Sequence, residues 1–362
     1  MEDGFPYLPS GSQIILDRVA QQTVLANIRD QLRVNRKQLV AEVRSYGEQA
    51  LEDYLRESGR DLSHVYRKTG DSWTSLIREA GLVDVDYADD VVLAAENGTS
   101  RFEEDLLRRM TAMVCIDDPE RAETYSMLVS DGAPAYAELG VREQTLARML
   151  FFALWPNGGG FAAYDEGLAA LRSYPLVCAE IRQLAALGVQ ASRYAPKGLG
   201  MGLVQVPLYS HATYRREEVL AALGYFALGG RMTHREGVAW CPEVETDVFF
   251  VTLEKDAKDR AASIMYKDYA MSPEVFHWES QNATSPESVT GRRYLNQRSN
   301  GTKVLLFTRP REKDENGMTM PYTCLGQLDY MSHSGSKPVA IVWRLHRAMP
   351  ADVYVEASAV AQ

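Results

Sequence analysis

Apolar residues recur at three- and four-residue steps through the first half of the chain, the period of a helix that packs one face on a core. Ile15, Val19, Leu25, Ile28 and Leu32 form one such series. Leu39, Val43, Tyr46, Ala50 and Tyr54 form a second, punctuated by Gly59 and Asp61. A short helix is expected over Ser72–Glu79, and Phe102, Leu106, Met110 and Met113 give another at i, i+4, i+8 and i+11. Val141–Trp155 is a strongly apolar helix, stopped by Pro156-Asn157-Gly158-Gly159-Gly160. Two more follow, near Ala162–Ser173 and Pro175–Leu187.

The pattern changes at the turn-rich stretch Ala195-Pro196-Lys197-Gly198-Leu199-Gly200-Met201-Gly202, which reads as a domain boundary. One helix remains at Arg215–Tyr225, and a last short one follows Pro350. Between them Asp247–Leu253, Lys303–Thr308, Tyr322–Tyr330 and Val339–His346 are rich in Val, Phe, Tyr and Leu and read as strands. The expected fold is therefore α+β: a helical module over residues 1–200, then a mostly-β domain over 201–362, a curled sheet or barrel.

The 362 residues are 46% hydrophobic and 24% charged, an ordinary globular balance. No apolar run approaches ~18 residues, so no membrane span is expected. The N-terminal MEDGFPYLPSGSQ is acidic and short of apolar residues, unlike a secretory signal. Cys115, Cys178, Cys241 and Cys324 lie far apart with no CxxC, which fits a reducing cytoplasm better than a disulfide scaffold or zinc ribbon. The net charge is −10, from 39 basic and 49 acidic residues. Residues 201–362 hold 18 and 19 of these, about −1, so the helical half carries −9. Gly291–Arg311 contains Arg292, Arg293, Arg298, Lys303, Arg309 and Arg311 and no acidic residue, so global acidity does not exclude a local phosphate-binding face. A solvated surface segment explains the same run equally well.

Several chemistries lack their residues. There is no P-loop, no HExxH and no GxSxG, so neither a P-loop ATP site nor a zinc or serine hydrolase is expected, and no cofactor or metal is called for. Glu243, Asp256 and Lys258 loosely match the PD-(D/E)xK arrangement of a Mg²⁺-dependent nuclease, although a mixed-charge loop accounts for them too. The densest constellation is Tyr266-Lys267-Asp268-Tyr269, then Phe276-His277-Trp278-Glu279-Ser280-Gln281, then Thr290-Gly291-Arg292-Arg293-Tyr294. A protein that reads an extruded base needs a ring to stack on it, polar groups for its edge and cations for the backbone, and this stretch offers all three. If Phe276–Gln281 is extended, Phe276, Trp278 and Ser280 point one way and His277, Glu279 and Gln281 the other; Trp278 is then structural and Tyr269 the stacking ring. If the segment is a helix opened by Ser272-Pro273, Trp278 is free to reach a pocket.

From about Tyr209 to Val353 the sequence resembles the C-terminal domain of unknown function of many bacterial superfamily II (DEAD/DEAH) helicases. The resemblance rests on Tyr214–Gly224, Thr246–Leu253, Tyr266–Pro273, Phe276–Gln281, Thr284-Ser285-Pro286, Thr290–Tyr294, Ser332–Pro338 and Met349–Asp352. Leu16–Ala20 and the two following helices resemble the segment that joins such a domain to the helicase core. Position 279 is Glu where the motif more often has Gln. The family often occurs with a phospholipase D-type nuclease and a helicase motor, as in SauUSI-like ATP-dependent type IV restriction enzymes, and this chain contains neither.

The resemblance implies an SRA/PUA-like β-barrel that recognises methylated cytosine in double-stranded DNA, in a bacterial type IV restriction or anti-phage defence system with a helicase or nuclease partner. Tyr266, Asp268, Tyr269, Trp278, Glu279 and Gln281 are then the base-binding residues. Arg292, Arg293, Lys303, His333, Ser334 and Ser336 are then the backbone contacts. No catalysis is expected from this chain alone. The competing classes are the Mg²⁺-dependent nuclease and a pure protein-interaction module whose acidic helices dock a motor.

Overall fold

The computed structural model describes residues 35–48, 50–68, 70–83, 101–200, 202–254 and 268–358. The expected helix at Ile15–Leu32, Tyr266, and the nuclease candidates Asp256 and Lys258 lie outside the described residues.

The helical half begins with α1 (Arg36–Tyr46), α2 (Leu51–Ser58), α3 (Leu62–Val65), α4 (Trp73–Glu79) and α5 (Arg101–Arg109), the last continued by a 3₁₀ turn at Met110–Cys115. The series Leu39–Tyr54, expected as one helix, is two, because Gly47 adopts φ +72° and caps α1 with its N–H on the Val43 carbonyl. Then come α6 (Pro119–Leu128), α7 (Val141–Leu154), α8 (Tyr164–Arg172) and α9 (Pro175–Gln190). Nine consecutive or near-consecutive positions of α7, from Thr145 to Leu154, are buried, so it is the central helix that an all-round apolar surface requires. Close packing fixes one glycine: a Cβ on Gly188 of α9 would lie 1.9 Å from the Ile116 carbonyl oxygen.

A two-stranded ribbon follows, β1 (Lys197–Gly198) with β2 (Tyr209–Ser210). The C-terminal half is one sheet of eight strands: β3 (Thr213–Tyr214), β4 (Val238–Cys241), β5 (Thr246–Thr252), β6 (Tyr269–Ser272), β7 (Val275–Glu279), β8 (Lys303–Arg309), β9 (Tyr322–Ser334) and β10 (Ala340–Leu345). Helices α10 (Arg216–Ala222), α11 (Val289–Leu295), α12 (Gln297–Asn300) and α13 (Ala351–Ser358) punctuate it. The strand order is β4-β5-β8-β9-β10-β7-β6, with β3 on β9. All neighbours are antiparallel except β5 and β8, which are parallel. Among the described residues the outer strands β4 and β6 do not pair, so the sheet is not a closed barrel.

The strand period of two divides the sheet into faces. Phe249, Val304, Leu306, Leu328, Phe276, Trp278, Ile341 and Trp343 form a core with Tyr294 of α11 and Ala357 of α13. On the opposite face Val248, Phe250, Leu305, Phe307 and Cys324 join the core of the helical half, which runs without interruption from Leu39 to Cys324. The helical half and the first strands of the sheet therefore share one core.

A buried ion cluster pins the same junction. Arg121 of α6 is fully buried and lies 3.0 Å from Asp118, 3.1 Å from Glu218 of α10 and 3.2 Å from Asp117. It also donates to the carbonyls of Cys115 (2.7 Å) and Thr213 (2.9 Å), with its guanidinium 4.4 Å from the Tyr214 ring centroid. Helix α6 escapes the apolar-periodicity reading because its buried face includes Arg121 and Thr124. Its start is nevertheless written in the sequence: Asp118 caps the helix through the Arg121 N–H, and Pro119 occupies the first turn.

Candidate nucleic-acid interface

Strand β7 is extended, and its alternation decides which side chains face out. Phe276 and Trp278 are buried, so Val275, His277 and Glu279 point to the other face, where each is half-buried. In register across four strands, Ser332, Val342, His277 and Tyr269 form one row, and Ser334, Ala340 and Glu279 form the next. None of these residues joins either core. The Tyr269 and His277 rings stack, with centroids 4.7 Å apart and planes at 20°. Beside them the Asp268 Oδ1 accepts the Glu279 backbone N–H at 3.0 Å. The Glu279 Oε2 is enclosed and has no hydrogen bond among the described residues. This patch offers a half-exposed π-surface next to two carboxylates, one with acceptor capacity unused, which suits a planar ligand that carries N–H donors.

The structure brings together three of the expected base-binding residues, Asp268, Tyr269 and Glu279, and adds His277. Trp278 is a correction to that set. Its ring lies in the core, stacked on Phe249 at 3.9 Å and 8° and edge-on to Tyr294, and is closed to any ligand. Gln281 is exposed in the turn after β7, where its carbonyl accepts the Thr284 N–H.

The expected phosphate contacts do not form one face. Arg293 is a second correction: its Nε and Nη2 grip the carboxylate of Asp247 at 2.6 and 2.7 Å, and its guanidinium stacks 4.2 Å from the Trp240 ring centroid. Asp247 is 1% exposed, so the pair is structural. Arg298 pairs with Asp329 at 3.1 Å, and Lys303 donates to the Val244 carbonyl at 3.3 Å, with Glu245 at 3.8 Å. Lys303 and Arg309 stand at opposite ends of β8. Arg292 alone of the N-terminal pair is exposed and without a side-chain partner among the described residues. His333 bonds to the Tyr330 hydroxyl at 2.6 Å and is in register with Ile341, on the core side and away from Tyr269 and His277. Ser334, the last residue of β9, and Ser336, in the turn before β10, are both exposed.

Sequence reasoning missed a cleft of about 190 Å³ between Lys197–Gly200, β9 and the two residues that follow β10. Gln327 and His346 line it together with Lys197 and Arg347. The Gln327 Oε1 accepts the Gly200 N–H at 3.1 Å, and Arg347 donates to the carbonyls of Ser210 (3.1 Å) and Ala195 (3.0 Å). Next to it Asp329 lies between His346 and Arg298, each at 3.1 Å. Burial works against its charge, but these two partners outweigh it and hold the carboxyl below the usual range. The only sequence signal for this cleft is the glycine spacing of Gly198-Leu199-Gly200, which reads as a linker.

No group of three or more His, Cys, Asp or Glu side chains placed to hold a metal ion occurs among the described residues. No described helix is long and apolar enough to cross a membrane. No curated protein matches the chain. Residues 208–357 match a domain of unknown function (DUF3427), covering less than half of the chain but the whole eight-stranded sheet and every candidate site residue, over the same stretch on which the sequence resemblance rests.

Proposed function

We propose that this chain is a specificity module that binds double-stranded DNA carrying modified cytosine, methylated cytosine foremost. It would act in the bacterial cytoplasm within a type IV restriction or anti-phage system, with a helicase or phospholipase D-type nuclease as partner. The observation that carries this reading is the Tyr269–His277 stack beside Asp268 and Glu279. A flipped cytosine presents a flat ring for stacking and an exocyclic amino group that donates to a carboxylate. The unused Oε2 of Glu279 gains most from such a donor, since an enclosed acceptor without a partner is costly. The sheet is read as SRA/PUA-like in role, opened at one side rather than closed. Residues 1–200, with their excess of acidic groups, are read as the module that couples it to the motor.

Tyr269→Ala tests the site. We expect affinity for methylated duplex to fall by about 1–3 kcal/mol, the usual value of one base-stacking ring. The melting temperature should stay close to wild type, because Tyr269 lies outside both cores. Unchanged affinity in the folded variant would remove this patch from the interface.

A further inference from the structure

A cluster of arginines lies at the end of the sheet where β5 and β8 finish and β9 begins. Arg309, the last residue of β8, is 8% exposed, and its guanidinium is 4.5 Å from the Tyr322 ring centroid. Arg216 approaches the same ring at 5.6 Å and the Phe250 ring at 4.7 Å. Arg215, one residue earlier, reaches the carbonyls of Thr111 (2.7 Å) and Thr319. The other acceptors are also neutral: Arg216 donates to the Glu236 carbonyl and the Tyr322 hydroxyl, both at 2.9 Å. Arg309 donates Nε to Thr252 Oγ1 at 2.9 Å and Nη1 to the Met320 carbonyl at 3.4 Å. Its Nη2 has no hydrogen-bond partner among the described residues. Nor, among them, does any carboxylate pair with Arg215, Arg216 or Arg309. Further along the same surface Arg231 stacks on Tyr225 at 4.5 Å, and His234 bonds to the Tyr225 hydroxyl at 3.0 Å.

Arg121 and Arg293, by contrast, are neutralised by carboxylates. Arg216 and Arg309 share the Tyr322 ring, and Arg215 is close enough to Arg309 to act on its charge. Like charges so placed repel one another, and enclosing a charge among neutral acceptors is costly. Burial, together with Arg216 and Arg215, pushes the Arg309 guanidinium down from its ordinary value, against the pull of Tyr322 and Glu312. An oxyanion would relieve both costs, and planar guanidinium forks suit the several oxygens of a phosphate.

We propose that Arg215, Arg216 and Arg309 form a phosphate-binding site at this end of the sheet, separate from the Tyr269–His277 patch and independent of what that patch reads. The phosphate could belong to a nucleic-acid backbone or to a free phosphate or pyrophosphate, and the test separates the two. Melting of the full chain would be followed against inorganic phosphate, pyrophosphate and unmodified duplex DNA, with chloride at matched ionic strength as reference. We expect a saturable rise in melting temperature. Arg309→Gln and Arg216→Lys should each weaken it by roughly tenfold or more, since each loses part of the planar fork. A rise with phosphate or pyrophosphate assigns a free ligand, and a rise with DNA alone assigns a backbone phosphodiester. If Arg309→Gln does not fold, Arg216→Lys, which keeps the charge, carries the comparison. No rise with any of the three, or a rise undiminished in the folded variants, would overturn the site.

Discussion

Arg293→Ala is expected to destabilise the chain by about 3–5 kcal/mol, the cost of stripping a buried carboxylate of its partner. Asp247 is 1% exposed and takes both of its short hydrogen bonds from Arg293, so the variant leaves a negative charge enclosed next to Trp240 and Phe249. Arg292→Ala, one residue away on the exposed side of α11, should melt as wild type does. If it contacts DNA, it should weaken binding to every sequence alike and flatten the salt dependence by about one phosphate. Chemical denaturation of the two variants checks the contrast. Equal stability would mean that Arg293 is not the structural partner of Asp247.

The second large effect concerns the junction. Residues 201–362 expressed without the helical half would expose Val219, Leu220, Ala221 and Ala222 of α10, Leu223 just after it, and Phe226, which packs on Phe152 of α7, all buried in the shared core. Re-exposing those side chains costs on the order of 10 kcal/mol, comparable to the whole stability of a typical domain. The cut also leaves Glu218 without Arg121. The fragment is therefore expected to lack a cooperative melt and to bind hydrophobic dyes. Co-expression with residues 1–200 should restore both the melt and solubility. A fragment that melts cooperatively by itself near the full chain's temperature would show that the two halves fold independently.

Local signals carried well into the structure. Helix α7 was legible because a continuous apolar run ends in Pro156-Asn157-Gly158, and β7 because Phe276 and Trp278 alternate with His277 and Glu279. The extended alternative for that segment, with Trp278 structural, is the one the fold adopts. Long-range pairing was not legible. Nothing in the sequence announces that β5 and β8 lie side by side in parallel, since a long connection separates them. The basic run Gly291–Arg311 reads as a patch because its neighbours in sequence are neutral. In the fold Asp247 reaches Arg293 from 46 residues away, Asp329 reaches Arg298 from 31, and Glu245 approaches Lys303. Charge along a sequence shows which cations exist but not which carboxylates the topology delivers to them. The Arg215–Arg216–Arg309 cluster is the converse case, with cations distant in sequence that no carboxylate meets among the described residues.

If the chain reads cytosine modification, it distinguishes modified from plain cytosine in one sequence context. The direct measurement is the affinity of the full chain for duplexes of one sequence that carry C, 5-methyl-C, 5-hydroxymethyl-C or glucosylated 5-hydroxymethyl-C at a single position, at fixed salt. At least one modified form, with methyl-C foremost, is expected to bind more tightly than plain C by about 1–3 kcal/mol, the value of one good base contact. Equal affinity for all four would contradict it, even if the chain bound DNA well.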